Sequence, residues 1–328
     1  MRAVVCHDWG SPEDLKVEEM PDPEMIEDGV RIAVKAAGVN FADTLMIKGE
    51  YQVRPPFPFS PGLEIAGEVL EVAPGVTRVK PGDRVMAMVH YGGYATQAVA
   101  PAHDVHVIPD AMDEVTAAAF PVVYGTSHIG LKEKLKLQPG EVLLVNGAAG
   151  GVGLTAVELG KKLGATVIAS AGGADKLAVA REYGADHLID YRSEDIKNRV
   201  KELTDGRGAD AVYDPVGGKA FDAALRATVQ LGRMLVVGFA SGGVPQVPAN
   251  ILLVKNITVI GYYWGAHRIL DPDLISASFA ELFEWYAAGD LKPHISHTFD
   301  LADVAEAMNT LKGRKSTGKV VLTTETRH

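Results

Sequence analysis

Between Glu141 and Gly164 the chain reads EVLLVNGAAGGVGLTAVELGKKLG, and no other stretch narrows its possible folds as much. Val142–Val145 is an apolar run with the length of a buried strand. Gly147-Ala148-Ala149-Gly150-Gly151-Val152-Gly153 then makes a tight glycine-rich turn, and a helical pattern runs on to Leu163, with Gly164 placed to end it. A strand feeding a glycine turn and then a helix is the local architecture that holds a pyrophosphate. Missing side chains let the backbone approach the phosphates, and the helix N-terminus offers free N–H groups to negative charge. The context predicts a dinucleotide site rather than a merely close-packed turn.

The same alternation continues from about residue 124 to 262. Strand-like Thr166–Ser170, His187–Tyr191, Asp210–Tyr213, Met234–Phe239 and Ile257–Gly261 are interleaved with helical Asp175–Tyr183, Ile196–Leu203 and Ala220–Val229. Gly164-Ala165 and Gly184-Ala185 each close a helix before a strand, where glycine supplies a left-handed cap. Such alternation with short loops predicts a parallel sheet covered on both faces. The earlier residues are of another kind. Arg2–Val5, Val30–Ala36, Glu64–Val72 and Arg84–Met88 are short strand-like runs separated by turns such as Pro81-Gly82-Asp83. After Trp264, Pro272–Ala288 and Leu301–Leu311 read as helices and Lys319–Thr323 as a final strand that returns to the first domain. The expectation is an α/β chain with a discontinuous β-rich domain, 1–123 and 263–328, and a doubly wound parallel sheet at 124–262.

Composition bounds the partners. Of 328 residues 47% are hydrophobic, enough for substantial cores, and the formal net charge is −10. An acidic chain of this kind argues against a nucleic-acid backbone or an anionic membrane as partner. No apolar run is long enough to span a bilayer, and the opening residues do not read as a leader. Cys6 is the only cysteine, which excludes an internal disulfide and makes a reducing cytoplasm the expected setting. Cys6 itself is expected to pack inside an early strand.

The second strand of the alternating region bears on which dinucleotide is bound. A carboxylate about 20 residues beyond the glycines ordinarily binds the ribose hydroxyls of NAD. Here that strand ends Ala169-Ser170-Ala171-Gly172-Gly173, and Asp175, coming later, reads as the cap of the next helix. Lys176 follows, and Tyr191-Arg192 closes the neighbouring strand. A 2′-phosphate needs cations and hydroxyl donors rather than an acid, so the pattern favours NADPH.

With these residues in view, the chain resembles the zinc-independent quinone oxidoreductases (zeta-crystallin-like) of the medium-chain dehydrogenase/reductase superfamily. The resemblance is carried by Gly38-Val39-Asn40-Phe41-Ala42-Asp43 with Gly49-Glu50-Tyr51, by Pro61-Gly62-Leu63-Glu64-Ile65-Ala66-Gly67-Glu68-Val69, and by Lys80-Pro81-Gly82-Asp83-Arg84-Val85. The glycine turn, Asp214 with Val216-Gly217-Gly218, and Arg314-Lys315-Ser316-Thr317-Gly318-Lys319-Val320 complete it, in order along the whole chain. It implies a Rossmann domain inserted in a GroES-like β-barrel domain, an active site in the cleft between them, and a homodimer joined along the Rossmann sheet edge, for which Ile257–Gly261 is the candidate strand. It implies that Asn40 and Thr126 position the nicotinamide, an amide and a hydroxyl being able to bond its carboxamide or ribose. Gly150, Gly151 and Val152 would lie under the pyrophosphate, and Ser170, Lys176, Tyr191 and Arg314 around the adenosine phosphate. Gly238, Phe239, Tyr262, Tyr263 and Trp264 would border the nicotinamide half. Tyr51 either hydrogen-bonds the substrate oxygen or lines the site. Glu64 reads as structural, and Asp43 is equally open.

The superfamily also contains zinc alcohol dehydrogenases. In these a cysteine occurs where this chain has Val39-Asn40, a histidine where it has Leu63, and a four-cysteine lobe that is absent here. His103-x-x-His106 reads as a surface turn without a partner set, so no metal is expected. Hydride would then pass from the nicotinamide directly to an acceptor already activated by conjugation. A quinone is the leading substrate, and the active side chains would be Asn40, Tyr51 and Thr126. The alternatives are an activated C=C bond in an enal, enone or acrylate-type substrate, and a catalytically idle NADPH-binding protein.

Overall fold

The computed structural model describes residues 1–324. In chain order the N-terminal part supplies strands β1 (Arg2–Val5), β2 (Lys16–Glu19), β3 (Gly29–Val39), β4 (Glu64–Val72), β5 (Arg84–Met88), β6 (Gln97–Pro101) and β7 (Val105–Val107), with helices α1 (Phe41–Met46), α2 (Glu114–Ala118) and α3 (Pro121–Ile129). The middle supplies β8 (Val142–Asn146), α4 (Gly151–Lys162), β9 (Thr166–Ala171), α5 (Ala174–Glu182), β10 (His187–Asp190), α6 (Ile196–Leu203), β11 (Ala209–Asp214), α7 (Gly218–Ala227), β12 (Thr228–Val236), α8 (Ala249–Lys255), β13 (Thr258–Gly261) and α9 (Trp264–Leu270). The chain ends with α10 (Pro272–Ala287), β14 (Ile295–Asp300), α11 (Val304–Lys312) and β15 (Lys319–Thr323). Two compact units result, one of residues 1–122 with 268 onward, the other Val123–His267. No helix among the described residues is long and apolar enough to cross a membrane.

The second unit is a doubly wound sheet of order β10-β9-β8-β11-β12-β13, parallel throughout. All five residues of β8 are buried, as a central strand covered on both faces must be. Leu144, Ile168, Val212 and Met234 from four strands pack with Phe221 and Leu225 of α7 into one core. Strand order reverses at β8, which places the switch point of the fold beyond its carboxyl end, where the glycine turn begins. Gly164 and Gly184 take φ of 84° and 101°, so both helices stop with the left-handed caps expected of them.

Three local expectations are corrected. The helix read as Ala220–Val229 ends at Ala227, because β-branched Thr228 and Val229 open β12. The strand read as Met234–Phe239 stops at Val236, since the chain beyond it bonds back onto the 215–216 loop, Ala240 N–H to Pro215 O at 3.0 Å and Ser241 N–H to Val216 O at 3.0 Å. Asp175 does not cap α5; Gly173 does, with φ 95°.

The first unit is built around β3. One edge of β3 runs along β4; on the other, Gly29–Ala33 pair with β6 and Ala36–Val39 pair with β15. The C-terminal segment therefore completes a sheet begun near the N-terminus. Where that segment starts, the Arg268 guanidinium bonds both Asp104 oxygens, at 2.8 and 2.5 Å, in a buried pair. Cys6 is buried just after β1, where its backbone exchanges hydrogen bonds with Phe59. Burial raises the Cys6 thiol pKa.

Helix α1 is anchored from below by Asp43. Its Oδ2 accepts the Asn40 N–H at 2.7 Å and the Tyr94 hydroxyl at 2.7 Å, all within the core. Burial raises the Asp43 carboxyl from 3.8 to about 7. The folded chain thus holds a proton that the unfolded chain releases above about pH 4. This contribution to stability is largest in acid and is lost as pH rises toward 7, at up to about 1.4 kcal/mol per pH unit. Asp43→Asn should abolish that slope, so that denaturant titrations find the variant less penalised, relative to the parent, at about pH 7 than at about pH 5. In the other unit, Phe221→Ala should cost about 3–5 kcal/mol, seen as a lower denaturation midpoint.

Candidate active site

The glycine turn is set by a backbone contact. A Cβ on Gly153 would stand 2.1 Å from the Gly147 carbonyl oxygen, so only glycine lets α4 begin this close to the strand it follows. Gly150 occupies the N-cap and Gly151 and Val152 the first turn, where N–H groups have no acceptor inside the helix. The Ala148 N–H bonds Ser170 O at 3.0 Å and ties the turn to the end of β9. The Ser127 hydroxyl donates to Val152 O at 2.9 Å and meets the hydroxyls of Thr155 and Tyr213 at 2.8 and 3.0 Å. That fixes α3, and with it buried Thr126, against the first turn of α4.

Two aromatic side chains behave differently. Trp264 is buried against α3, where a Cβ on Gly125 would meet its indole at 2.6 Å. Tyr263 is 45% exposed. Gly238 and Phe239 lie in the loop that turns back onto Pro215, and a Cβ on Gly217 would stand 3.1 Å from the Phe239 ring. Thr126 thus lies on α3, whose Gly125 faces Trp264 at the start of α9, Gly150, Gly151 and Val152 form the start of α4, and Gly238 and Phe239 lie on the loop bonded back to Pro215 and Val216.

At the tip of β9 Ser170 is buried and Gly172 and Gly173 form an open turn. Tyr191 and Arg192 fold over it: a Cβ on Gly172 would stand 2.7 Å from the Tyr191 hydroxyl and 2.9 Å from Arg192 Nε. Lys176 lies in the first turn of α5, which starts from the same place. An acid is nearby that the sequence pattern did not place. Asp190 Oδ1 accepts the N–H of Gly173 at 3.2 Å and of Arg192 at 3.0 Å, so this oxygen shapes the turn.

Asn40, Tyr51 and Arg314 belong to the first unit, the other candidates to the second. Asn40 is held by a buried ion pair. Lys319 Nζ donates to Glu64 Oε1 at 2.7 Å, to Asn40 Oδ1 at 2.7 Å and to Val39 O at 3.0 Å, using all three ammonium protons. Asn40 Nδ2 donates to the same Glu64 oxygen at 2.8 Å, and Glu64 Oε2 accepts the Val122 N–H at 2.8 Å. Nδ2 also donates to Gly38 O at 3.4 Å, so the amide orientation is fixed and one acceptor lone pair of Oδ1 is left for a ligand. Glu64 is structural, as expected. Lys319 was missed, although a lysine opening the apolar strand KVVLT signals a buried cation that must have a carboxylate partner. Tyr51 is half-buried beyond α1, and Arg314 is exposed with φ 56°.

His103 and His106 do not form one surface turn. His103 is exposed, whereas His106 is buried in β7 with its ring 4.7 Å from that of Phe279, and burial lowers its pKa to about 4. Among the described residues no group of three His, Cys, Asp or Glu side chains is placed to hold a metal ion.

Comparison with known proteins agrees with this architecture. The alcohol dehydrogenase GroES-like domain model matches residues 27–110, and the zinc-binding dehydrogenase model matches 151–287. A quinone oxidoreductase-like protein 2 homolog of Nematostella vectensis is 45% identical, over 99% of this chain and 89% of its own length. The quinone oxidoreductase of Pseudomonas aeruginosa is 35% identical over 96% of this chain and 97% of its own. The crystal structure of Escherichia coli quinone oxidoreductase complexed with NADPH superposes with a TM-score of 0.93 at 32% identity, covering 98% of this chain and 100% of that one. Matches of this extent, on both units and in the same order, make the chain a member of the medium-chain dehydrogenase/reductase superfamily of oxidoreductases, in its quinone oxidoreductase-like family.

Proposed function

We propose that this chain binds NADPH on its second unit and reduces quinones by direct hydride transfer. The observation that carries the cofactor assignment is the tip of β9. The Tyr191 hydroxyl and the Arg192 guanidinium cover Gly172 and Gly173, Lys176 stands in the adjoining helical turn, and the Asp190 oxygen there is taken up by backbone N–H groups. This is a cationic, hydroxyl-bearing cradle suited to a 2′-phosphate and poorly suited to a free ribose diol. The Escherichia coli relative, crystallised as a complex with NADPH, supports the same assignment.

The roles follow from the chemistry of each group. First-turn N–H groups at Gly151 and Val152 would hold the pyrophosphate, with Ser170, Lys176, Tyr191 and Arg314 about the adenosine phosphate. Thr126 and the pre-oriented Asn40 amide would hold the nicotinamide, and Gly238, Phe239, Tyr263 and Trp264 its surroundings. NADPH supplies the hydride. A quinone already carries its electron sink, so the protein need only orient the two partners and stabilise the oxygen that becomes negative, the role given to the Tyr51 hydroxyl.

The same proposal includes a homodimer joined along β13, the last strand of its sheet. Helix α8, which packs on β12, exposes Leu253 and Val254 at 77% and 70%, apolar surface that a second copy would cover.

Lys176→Ala and Arg192→Ala should each weaken NADPH by about ten-fold while leaving NADH nearly unaffected in fluorescence titrations; equal losses for both coenzymes would remove the assignment. Tyr51→Phe should lower kcat by about ten-fold or more at unchanged NADPH affinity. A turnover panel of a small quinone, an enone and an enoyl thioester should show the quinone preferred, and failure of all three despite tight NADPH binding would mark an idle binding protein. Sedimentation should give the mass of two chains, falling to one in Leu253→Glu with Val254→Glu.

A further inference from the structure

Asn146 and Asp214 end the neighbouring central strands β8 and β11 of the second unit, and each leads into a glycine-bearing loop. They are 1% and 0% exposed. Asn146 Nδ2 donates to Asp214 Oδ1 at 3.0 Å. The same carboxylate accepts the N–H of Val216 at 3.2 Å and of Gly217 at 3.1 Å, so it shapes its own loop while holding the residue before the glycine turn. The two loops touch there: a Cβ on Gly147 would stand 2.9 Å from Val216 Cγ2.

The amide achieves this at a cost. Asn146 Oδ1 is buried with no hydrogen-bond partner among the described residues. An unpaired buried carbonyl is destabilising, and an apolar side chain at the end of a buried strand would avoid it. Stability alone therefore does not account for asparagine at this position. What asparagine provides is one N–H aimed at Asp214 from the residue preceding Gly147. Burial raises the Asp214 carboxyl pKa, and the three N–H groups oppose that rise.

We infer that Asn146 and Asp214 are positioning residues for the dinucleotide: their hydrogen bond sets the spacing between the glycine turn and the Val216–Gly218 loop before the ligand arrives. This rests on the proposed binding of NADPH. Loops fixed in advance lose less conformational freedom on binding, so the bond contributes to affinity without touching the ligand. The bond runs from β8 toward β11, on the side of β8 opposite β9, so it acts on NADPH and NADH alike, unlike Lys176 and Arg192.

The test is a double-mutant cycle on the full chain, with Kd for NADPH and for NADH read from nicotinamide fluorescence and folding followed by thermal melting. Asn146→Ala and Asp214→Ala should each weaken both coenzymes by about ten-fold. The double variant should be no weaker than the weaker single one, because both remove the same bond. Folded Asn146→Ala that binds NADPH as the parent does would overturn the proposal, as would losses that multiply in the double variant or fall on NADPH alone. If Asp214→Ala does not fold, Asn146→Ala decides. Faster hydrogen exchange at the Val216 and Gly217 amides together with weaker binding supports the bridge; unchanged exchange or unchanged binding refutes it. A parent chain that binds neither coenzyme sinks the NADPH assignment and this inference with it. A parent that binds and a variant that binds equally sinks the inference alone.

Discussion

A lysine and a glutamate with almost no contact with water hold the first unit together. Lys319 and Glu64 are 5% and 0% exposed, and their 2.7 Å contact joins the last strand of the chain to a strand formed near its beginning. Taking two charges out of water costs several kcal/mol each, which their attraction offsets only when the remaining protons and lone pairs are also satisfied. Here they are: the ammonium has three acceptors, and both carboxylate oxygens accept hydrogen bonds. Removing one partner would strand the other, a loss of about 3–5 kcal/mol. The functional result is that the Asn40 amide cannot rotate, because its oxygen faces a cation and its nitrogen an anion.

The second unit reaches comparable order with buried carboxylates, Asp214 and Glu158, that accept hydrogen bonds from uncharged groups. Its glycine turn is shaped by a helix start that tolerates no side chain at Gly153, by hydroxyl contacts from Ser127 and by the amide–carboxylate contact between Asn146 and Asp214. This follows from its proposed task. A site that must receive a polyanion does best to meet it with backbone N–H groups and with cations at its rim. Lys176 and Arg192 stand at that rim, beside the Gly172-Gly173 turn.

Much of this was legible in the residues. Alternating strands and helices with Gly-Ala closures specified the parallel sheet, and the glycine spacing located the turn at its switch point, because both depend on local conformation and short-range periodicity. Less visible were features that depend on partners distant in the chain. Lys319 read as the first residue of a strand and as part of a family motif, not as half of an ion pair, because nothing near it in sequence shows Glu64, 255 positions away. Asp190 gave no sign of bonding Gly173, 17 positions earlier, since that geometry exists only once β9 and β10 are paired. His106 looked like half of an exposed pair until β7 carried it inward against Phe279.

The seat of β15 has an outcome for synthesis on the ribosome. It lies between β14 and β3, and in the chain it follows every strand of the second unit. The second unit is one uninterrupted segment and has all its strands once β13 has emerged. The first unit must meanwhile wait with Ala36–Val39 of β3 unpaired on one side, its Glu64 without a counter-ion, until β15 has been made. In this protein the order of emergence makes the dinucleotide fold the elder of the two, and the lobe that bears Asn40 the younger.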